Sequence, residues 1–132
     1  MPAKKPMRIK VINPNSNAIV TDGIDAAIDA IRFADGPEIA CVTLAEGPQG
    51  IETQADVESV TLPLRELVAG DNESDAFVIA CYSDPGLHVC REATTTPVFG
   101  INECAVLTAL AKGDRFGVLA IKEASVRRLI RY

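Results

Sequence analysis

The chain has 132 residues, 48% of them hydrophobic, and a formal net charge of -5. That length fits one domain, and that apolar content suits a packed core rather than a disordered chain. No Lys/Arg run exceeds two residues, which argues against nucleic acid as a partner, and no apolar stretch approaches the roughly 18 residues of a membrane span.

The start, Met1 to Pro6, is basic, but Met7-Arg8-Ile9 opens an ordinary strand and not the apolar region of a secretion signal, so a cytoplasmic protein is expected. Arg8–Ile12 reads as a first strand. It runs into Asn13-Pro14-Asn15-Ser16-Asn17, a loop dense in donors and acceptors in which Ser16 or Asn17 suits a helix cap. From Ala18 to Phe33, Ile24, Ala27, Ile28 and Ile31 recur at helical spacing among acidic residues, the pattern of an amphipathic helix. Asp35-Gly36-Pro37 breaks it. Glu38–Leu44 reads as a second strand, with Cys41 in its middle and therefore assigned to packing. Gly47, Pro48 and Gly50 mark a loop. Glu52–Val68 reads as one helix, bent or interrupted by Pro63.

Asp75 to Leu87 is the stretch on which the rest converges. A short apolar run, Ala76–Ala80, is bounded by turn signals and reads as a buried parallel strand. Cys81 stands at its carboxyl end, and Asp84-Pro85-Gly86 follows. Leu87–Ala93 is expected to be a short helix, with Pro85 near its first turn and Asp84 as its cap. Val98–Gly100 is a brief strand and Asn102–Lys112 a further helix. Arg115–Ile121 reads as a fifth strand, patterned like Arg8–Asn13, and Ala124–Tyr132 as the start of one more helix. Strands alternating with helices through short loops predict an α/β lobe with a parallel sheet, three layers deep.

Ligands of such sheets bind outside the carboxyl ends of the strands. Three loops share that rim: Asn13–Asn17, Ala45–Gly50 and Cys81–Gly86. They offer one thiol, several amides and hydroxyls, and backbone N–H groups near helix starts. Such donors favour an anion and lower a thiol's pKa. The set suits a small, polar, partly anionic substrate, with proton transfer or nucleophilic attack by Cys81. Nucleotide-binding glycine signatures are absent, and Cys41, Cys81, Cys90, Cys104 and the single His88 lack the spacing of a zinc site. Burial statistics make an isolated cysteine more often a core residue than a reactive one, whereas the strand-end setting of Cys81 favours function.

The segments Asn13-Pro14-Asn15-Ser16, Gly47-Pro48-x-x-Ile51-Glu52, Ala80-Cys81-Tyr82-Ser83-Asp84-Pro85-Gly86-Leu87, Arg91-Glu92 and Pro97-Val98-x-Gly100-Ile101 carry a resemblance. Together they resemble the Asp/Glu/hydantoin racemase superfamily, its hydantoin and allantoin racemase branch in particular. The resemblance implies a flavodoxin-like lobe, the first half of a pseudo-symmetric two-lobed fold with the site in the cleft. It implies a cofactor-independent, metal-free isomerase in which two cysteines face opposite sides of a carbon next to a carbonyl. One removes the proton and the other returns it.

Cys81 matches the first-lobe cysteine, and Asn13, Asn15, Ser16, Gly47, Pro48, Tyr82 and Ser83 match the loops that hold a small carboxylate or ureide. No second cysteine stands in a later strand-end context. The expected division is therefore a first lobe over residues 7–113 and the start of a truncated second lobe over 114–132. An apolar face near Phe116, Val126, Leu129 and Ile130 would favour a homo-oligomer. The reading from a different class is a non-catalytic lobe that binds small molecules or mediates assembly.

Overall fold

The computed structural model describes residues 5–130. Its elements in chain order are β1 (Arg8–Asn13), α1 (Ala18–Ile28, continued by a 3-10 turn Asp29–Ile31), β2 (Glu38–Thr43), α2 (Gln54–Ser59), α3 (Thr61–Ala69), β3 (Ala76–Ile79), α4 (Leu87–Ala93), β4 (Val98–Gly100), α5 (Ile101–Lys112) and α6 (Glu123–Leu129). The four strands pair only in parallel, in the order β2-β1-β3-β4. That is the start of the flavodoxin-type order, in which the chain reverses its winding between β1 and β3 and leaves a crevice at their carboxyl ends.

Strand alternation divides the apolar residues between two faces. Ile12, Phe77, Ile79 and Val98 point to one side, where α2, α3 and α4 bury them with Leu44, Val60, Leu64, Val68, Leu87 and Cys90. Phe77, Ile12, Ile79 and Leu64 are each fully enclosed. Ile9, Val11, Val78 and Ala80 point to the other side. There α1 covers the β1–β2 half, and an open apolar groove of about 460 Å³ remains between it and Ile101. Phe99, level with Val78 in the register, is exposed on this side, and α5 has no buried residue.

One expectation is refined and one corrected. The interruption expected in the Glu52–Val68 helix falls at Val60, three residues before Pro63, and divides it into two helices. Pro63 falls in the first turn of α3, where a missing N–H breaks no intrahelical bond. A capping box fixes the start of α2: Thr53 accepts from the Asp56 N–H, and the Asp56 carboxylate accepts from the Thr53 N–H. The fifth strand expected at Arg115–Ile121 is not formed. Residues 114–120 are exposed coil with no neighbour to complete a ladder, and β4 remains the edge of the sheet. Strand pattern without a partner leaves backbone groups better satisfied by water. The last expected helix is found as α6; Arg131 and Tyr132 lie outside the described residues.

Candidate active site

The carboxyl rim of the sheet is built from the three loops named by the sequence, and they are joined. The Ser16 N–H donates to the Pro48 carbonyl at 2.8 Å, and a Cβ on Gly47 would run into the Pro14 carbonyl, so only glycine allows this approach. Asn17 caps α1 by accepting from the Ile19 N–H. Asn13 is buried at the end of β1, and its amide is spent internally. Nδ2 donates to Asn15 Oδ1 at 2.9 Å and Thr21 Oγ1 at 3.0 Å, and Oδ1 accepts from the Asn15 N–H. Thr21 in turn bonds Thr43 across to β2, at 2.6 Å. This network pins the first loop to the sheet. Asn15 and Ser16 are half-buried beside it.

Cys81 is half-buried at the end of β3, one residue past the Ala80 N–H that bonds Ile12. A tight turn follows, closed by the Asp84 N–H on the Cys81 carbonyl at 2.9 Å. Asp84 has φ 44°, a left-handed conformation uncommon outside glycine, and Gly86 has φ 65°. Gly86 is the N-cap of α4. Asp84 was expected to cap α4; instead it caps α5, its carboxylate accepting from the Asn102 N–H at 2.9 Å and the Glu103 N–H at 2.7 Å. A Cβ at Gly100 would strike that carboxylate. The turn after the thiol is thereby tied to the start of α5, and the Arg91–Glu103 ion pair at 2.5 Å ties α4 to α5.

A cavity of about 310 Å³ opens beside Cys81, at the small end of the range for ligand sites, about 300–1,000 Å³. Cys81, Tyr82 and Ser83 form one part of its lining, and Gly50, Ile51 and Glu52 the adjoining part. The remaining wall comes from the coil and helix after α5: Leu119 to Lys122, Ser125, Arg128 and Leu129. Asn13, Asn15, Ser16, Gly47 and Pro48 do not line this cavity; they lie on the two neighbouring loops, which hold each other through the Ser16–Pro48 bond.

Lys122, Ser125 and Arg128 are the polar residues that reading the sequence missed. Their three-residue spacing, on one side of a helix whose other positions include Val126 and Ile130, was the available signal. Lys122 pairs with Glu52 at 3.2 Å. Arg128 has Nε and one Nη shielded from solvent without an acceptor among the described residues. A buried donor left in that state costs about 1–3 kcal/mol.

The other thiols differ from Cys81. Cys90 is enclosed in the core, and burial pushes its pKa up to about 11. Cys41, on β2, is likewise raised to about 11, by burial first and then by the Asp25 carboxylate. Cys104 is exposed on α5 and does not line the cavity; His88 is exposed on α4. Among the described residues, no group of three His, Cys, Asp or Glu side chains is placed to hold a metal ion.

A parallel sheet with a half-exposed strand-end thiol over a small cavity fits the comparison with known proteins. The chain matches the Asp/Glu/Hydantoin racemase family over residues 9–132. It belongs to that family. It is 42% identical over 118 residues to a hydantoin racemase of Pseudomonas sp. (strain NS671), covering 87% of this chain and 47% of that protein. A hydantoin racemase of Paenarthrobacter aurescens is 38% identical over 119 residues, covering 87% and 50%. The structure of an allantoin racemase from Klebsiella pneumoniae superposes with a TM-score of 0.85 at 34% identity, over 95% of this chain and 53% of that one. The chain thus spans about half the length of these relatives.

Proposed function

We propose that the chain is the cysteine-bearing lobe of a cofactor-independent racemase of a small amino-acid derivative, a hydantoin, allantoin or an acidic amino acid. The observation that carries this is the placement of Cys81, a half-buried thiol at a strand end facing a small cavity, in a chain whose relatives are hydantoin racemases.

In this reading the substrate's acidic carbon lies against Cys81 Sγ. The thiolate takes the proton, and the electron pair moves onto the neighbouring carbonyl oxygen to give a planar enolate. Donors at the rim stabilise that charge, among them the Ser83 hydroxyl and the N–H groups of the turn that Asp84 holds. Asn13, Asn15, Ser16, Gly47 and Pro48 support the loops that orient the substrate's polar edge. Handedness is lost when a proton returns to the far face.

Among the described residues, Cys81 is the only cysteine lining the cavity, so the far-face acid is not part of this lobe's wall. The chain by itself is therefore expected to exchange the substrate's acidic hydrogen with solvent without inverting it. That single thiol is also what favours a second reading, a lobe that binds small molecules without turning them over. The two separate on one measurement: deuterium uptake at the acidic carbon of a 5-substituted hydantoin in D₂O, read by NMR against Cys81→Ala. Uptake above the solvent rate that disappears in the variant supports the racemase lobe. Equal uptake in both leaves only the binding lobe.

A further inference from the structure

The turn that carries Cys81 belongs to a ring closed at both ends on the sheet. β3 runs out at Ile79, and Gly100, at the end of β4, lies opposite it in the register. From Ile79 the chain passes through Cys81 to Asp84; from Gly100 it enters α5 at once. The two branches meet where the Asp84 carboxylate accepts from the Asn102 N–H at 2.9 Å and the Glu103 N–H at 2.7 Å. The approach is close, since a Cβ on the buried Gly100 would overlap that carboxylate. Asp84 also closes the near side of the turn, its N–H donating to the Cys81 carbonyl at 2.9 Å. Pro85, fully buried, seats the far end. Between the thiol and that proline, Tyr82 is exposed and Ser83 half-buried, and among the described residues the hydrogen bonds of this segment are those of Asp84.

Among the described residues, Asp84 is the only one other than glycine at positive φ. A side chain is uncommon in that conformation, which glycine adopts at no steric cost. What Asp supplies there and glycine cannot is the carboxylate. We infer that Asp84 is a positioning residue of the proposed reaction: by holding the first turn of α5 it fixes the Cys81 turn, and with it the thiol, against the cavity. Asp84 does not line that cavity, so it acts through the turn and not on the substrate. Proton transfer requires the thiolate within hydrogen-bond reach of the carbon acid, and a misplacement of about 1 Å costs about a hundredfold in rate. The inference rests on the reading of Cys81 as the proton acceptor, and it adds what keeps that acceptor in place.

The test alters the ring from both sides in the 132-residue chain. Asp84→Gly keeps the backbone conformation and removes the carboxylate, and Asp84→Asn keeps one acceptor oxygen. Gly100→Ala displaces the carboxylate from a position outside both the turn and the cavity. Native-state amide hydrogen exchange, followed by NMR, reads the turn through the N–H of residue 84. The Ala80 N–H, bonded to the Ile12 carbonyl at 2.8 Å, reads unfolding of the lobe. In Asp84→Gly and Gly100→Ala the protection of residue 84 is expected to fall about fivefold or more, the scale of a lost hydrogen bond, and to be insensitive to urea, as for a local opening. Cys81-dependent deuterium uptake by a saturating 5-substituted hydantoin is expected to fall about tenfold to a hundredfold in the same two variants. Asp84→Asn should recover part of both losses.

A role in overall stability alone would lower the protection of Ala80 and leave that of residue 84 unchanged, and that result overturns the inference. So does undiminished uptake in Asp84→Gly, or an Asp84→Asn variant that does no better than Asp84→Gly. Failure of the racemase reading looks different: deuterium uptake is the same with and without the Cys81 thiol, while residue 84 still loses its protection in Gly100→Ala.

Discussion

The two walls of the cavity are made in different ways. The wall holding Cys81, Tyr82 and Ser83 hangs from a sheet whose inner face is fully buried, and its turn is fastened by Asp84 to the start of α5. The wall holding Lys122, Ser125 and Arg128 follows a coil from 114 to 120 that joins no sheet. Among the described residues, its polar tie to the lobe is the exposed Lys122–Glu52 pair, a contact of the kind that contributes about 0–1 kcal/mol. One wall is fixed by burial and backbone hydrogen bonds, the other by side-chain contacts across the cavity. The proposed reacting group, Cys81, stands on the fixed wall, where positioning matters most, and Lys122 and Arg128 stand on the other.

Substitutions should expose that difference, first in rate. Cys81→Ser removes the proposed proton acceptor while keeping its approximate size, and it is expected to lower solvent exchange of the substrate's acidic hydrogen by about a hundred- to ten-thousandfold, the range for a positioned acid–base group. An exchange rate within a few-fold of the unaltered chain would remove Cys81 from the mechanism. Stability should separate the walls next. Phe77 is fully buried under α3 and α4, and Phe77→Ala is expected to cost about 3–5 kcal/mol in urea unfolding. Leu119, 99% exposed on the other wall, should change the same midpoint by no more than about 0.5 kcal/mol when replaced by Ala. Comparable losses at the two positions would mean that the walls are built alike.

The same division explains what the sequence made legible. All four strands of the sheet follow from short apolar runs bounded by Gly, Pro and Asn, because burial against helices is what such runs require. Cys81 was visible for the same reason: Ala76–Ala80 ends, and a turn begins, in local sequence. Arg115–Ile121 carries an equally good strand pattern, yet a strand exists only if a neighbour accepts its hydrogen bonds, and no run of seven residues encodes its neighbour. The partner of Asp84 was hidden likewise. An Asp before Pro-Gly signals a local cap, whereas its carboxylate reaches Asn102 and Glu103, eighteen and nineteen residues on. Asn13 reads as a free amide in a polar loop; only the packing of α1 on β2, through Thr21 and Thr43, shows that its donors are committed. That Arg128 lines the cavity depends on where the coil after α5 carries α6, which is a property of the assembled fold.

The Asp84 latch offers a sharper comparison on a smaller scale. Asp84→Ala leaves two backbone N–H groups of α5 without their acceptor and is expected to cost about 1–3 kcal/mol. Gly100→Ala should cost a similar amount, since the added Cβ displaces the same carboxylate. The two losses should not add. Once the carboxylate is gone, a methyl at position 100 no longer meets it, so the double variant is expected to match Asp84→Ala alone. A sum of the separate losses in urea unfolding would show that Gly100 is needed for some other contact.

Acid should loosen the fixed wall from its far end, by the smallest of these effects. At the amino edge of the sheet Asp71 pairs with Lys10, and it accepts from the N–H groups of Glu73 at 2.8 Å and Ser74 at 2.9 Å. Burial alone would push its carboxyl upward. The ammonium of Lys10 and the donors of Glu73 and Ser74 outweigh that and hold it well below the usual carboxylate range. The native state then binds this proton less readily than the unfolded chain. Its contribution is complete above the ordinary Asp range, near pH 4, and is lost as pH falls through that range toward the native value. Asp71→Asn should therefore lower the urea midpoint at pH 7, and the gap from the unaltered chain should narrow as the pH is taken to 3. A gap that stays constant with pH would mean that Asp71 contributes through shape and hydrogen bonding alone, and that its charge adds nothing to the lobe beneath Cys81.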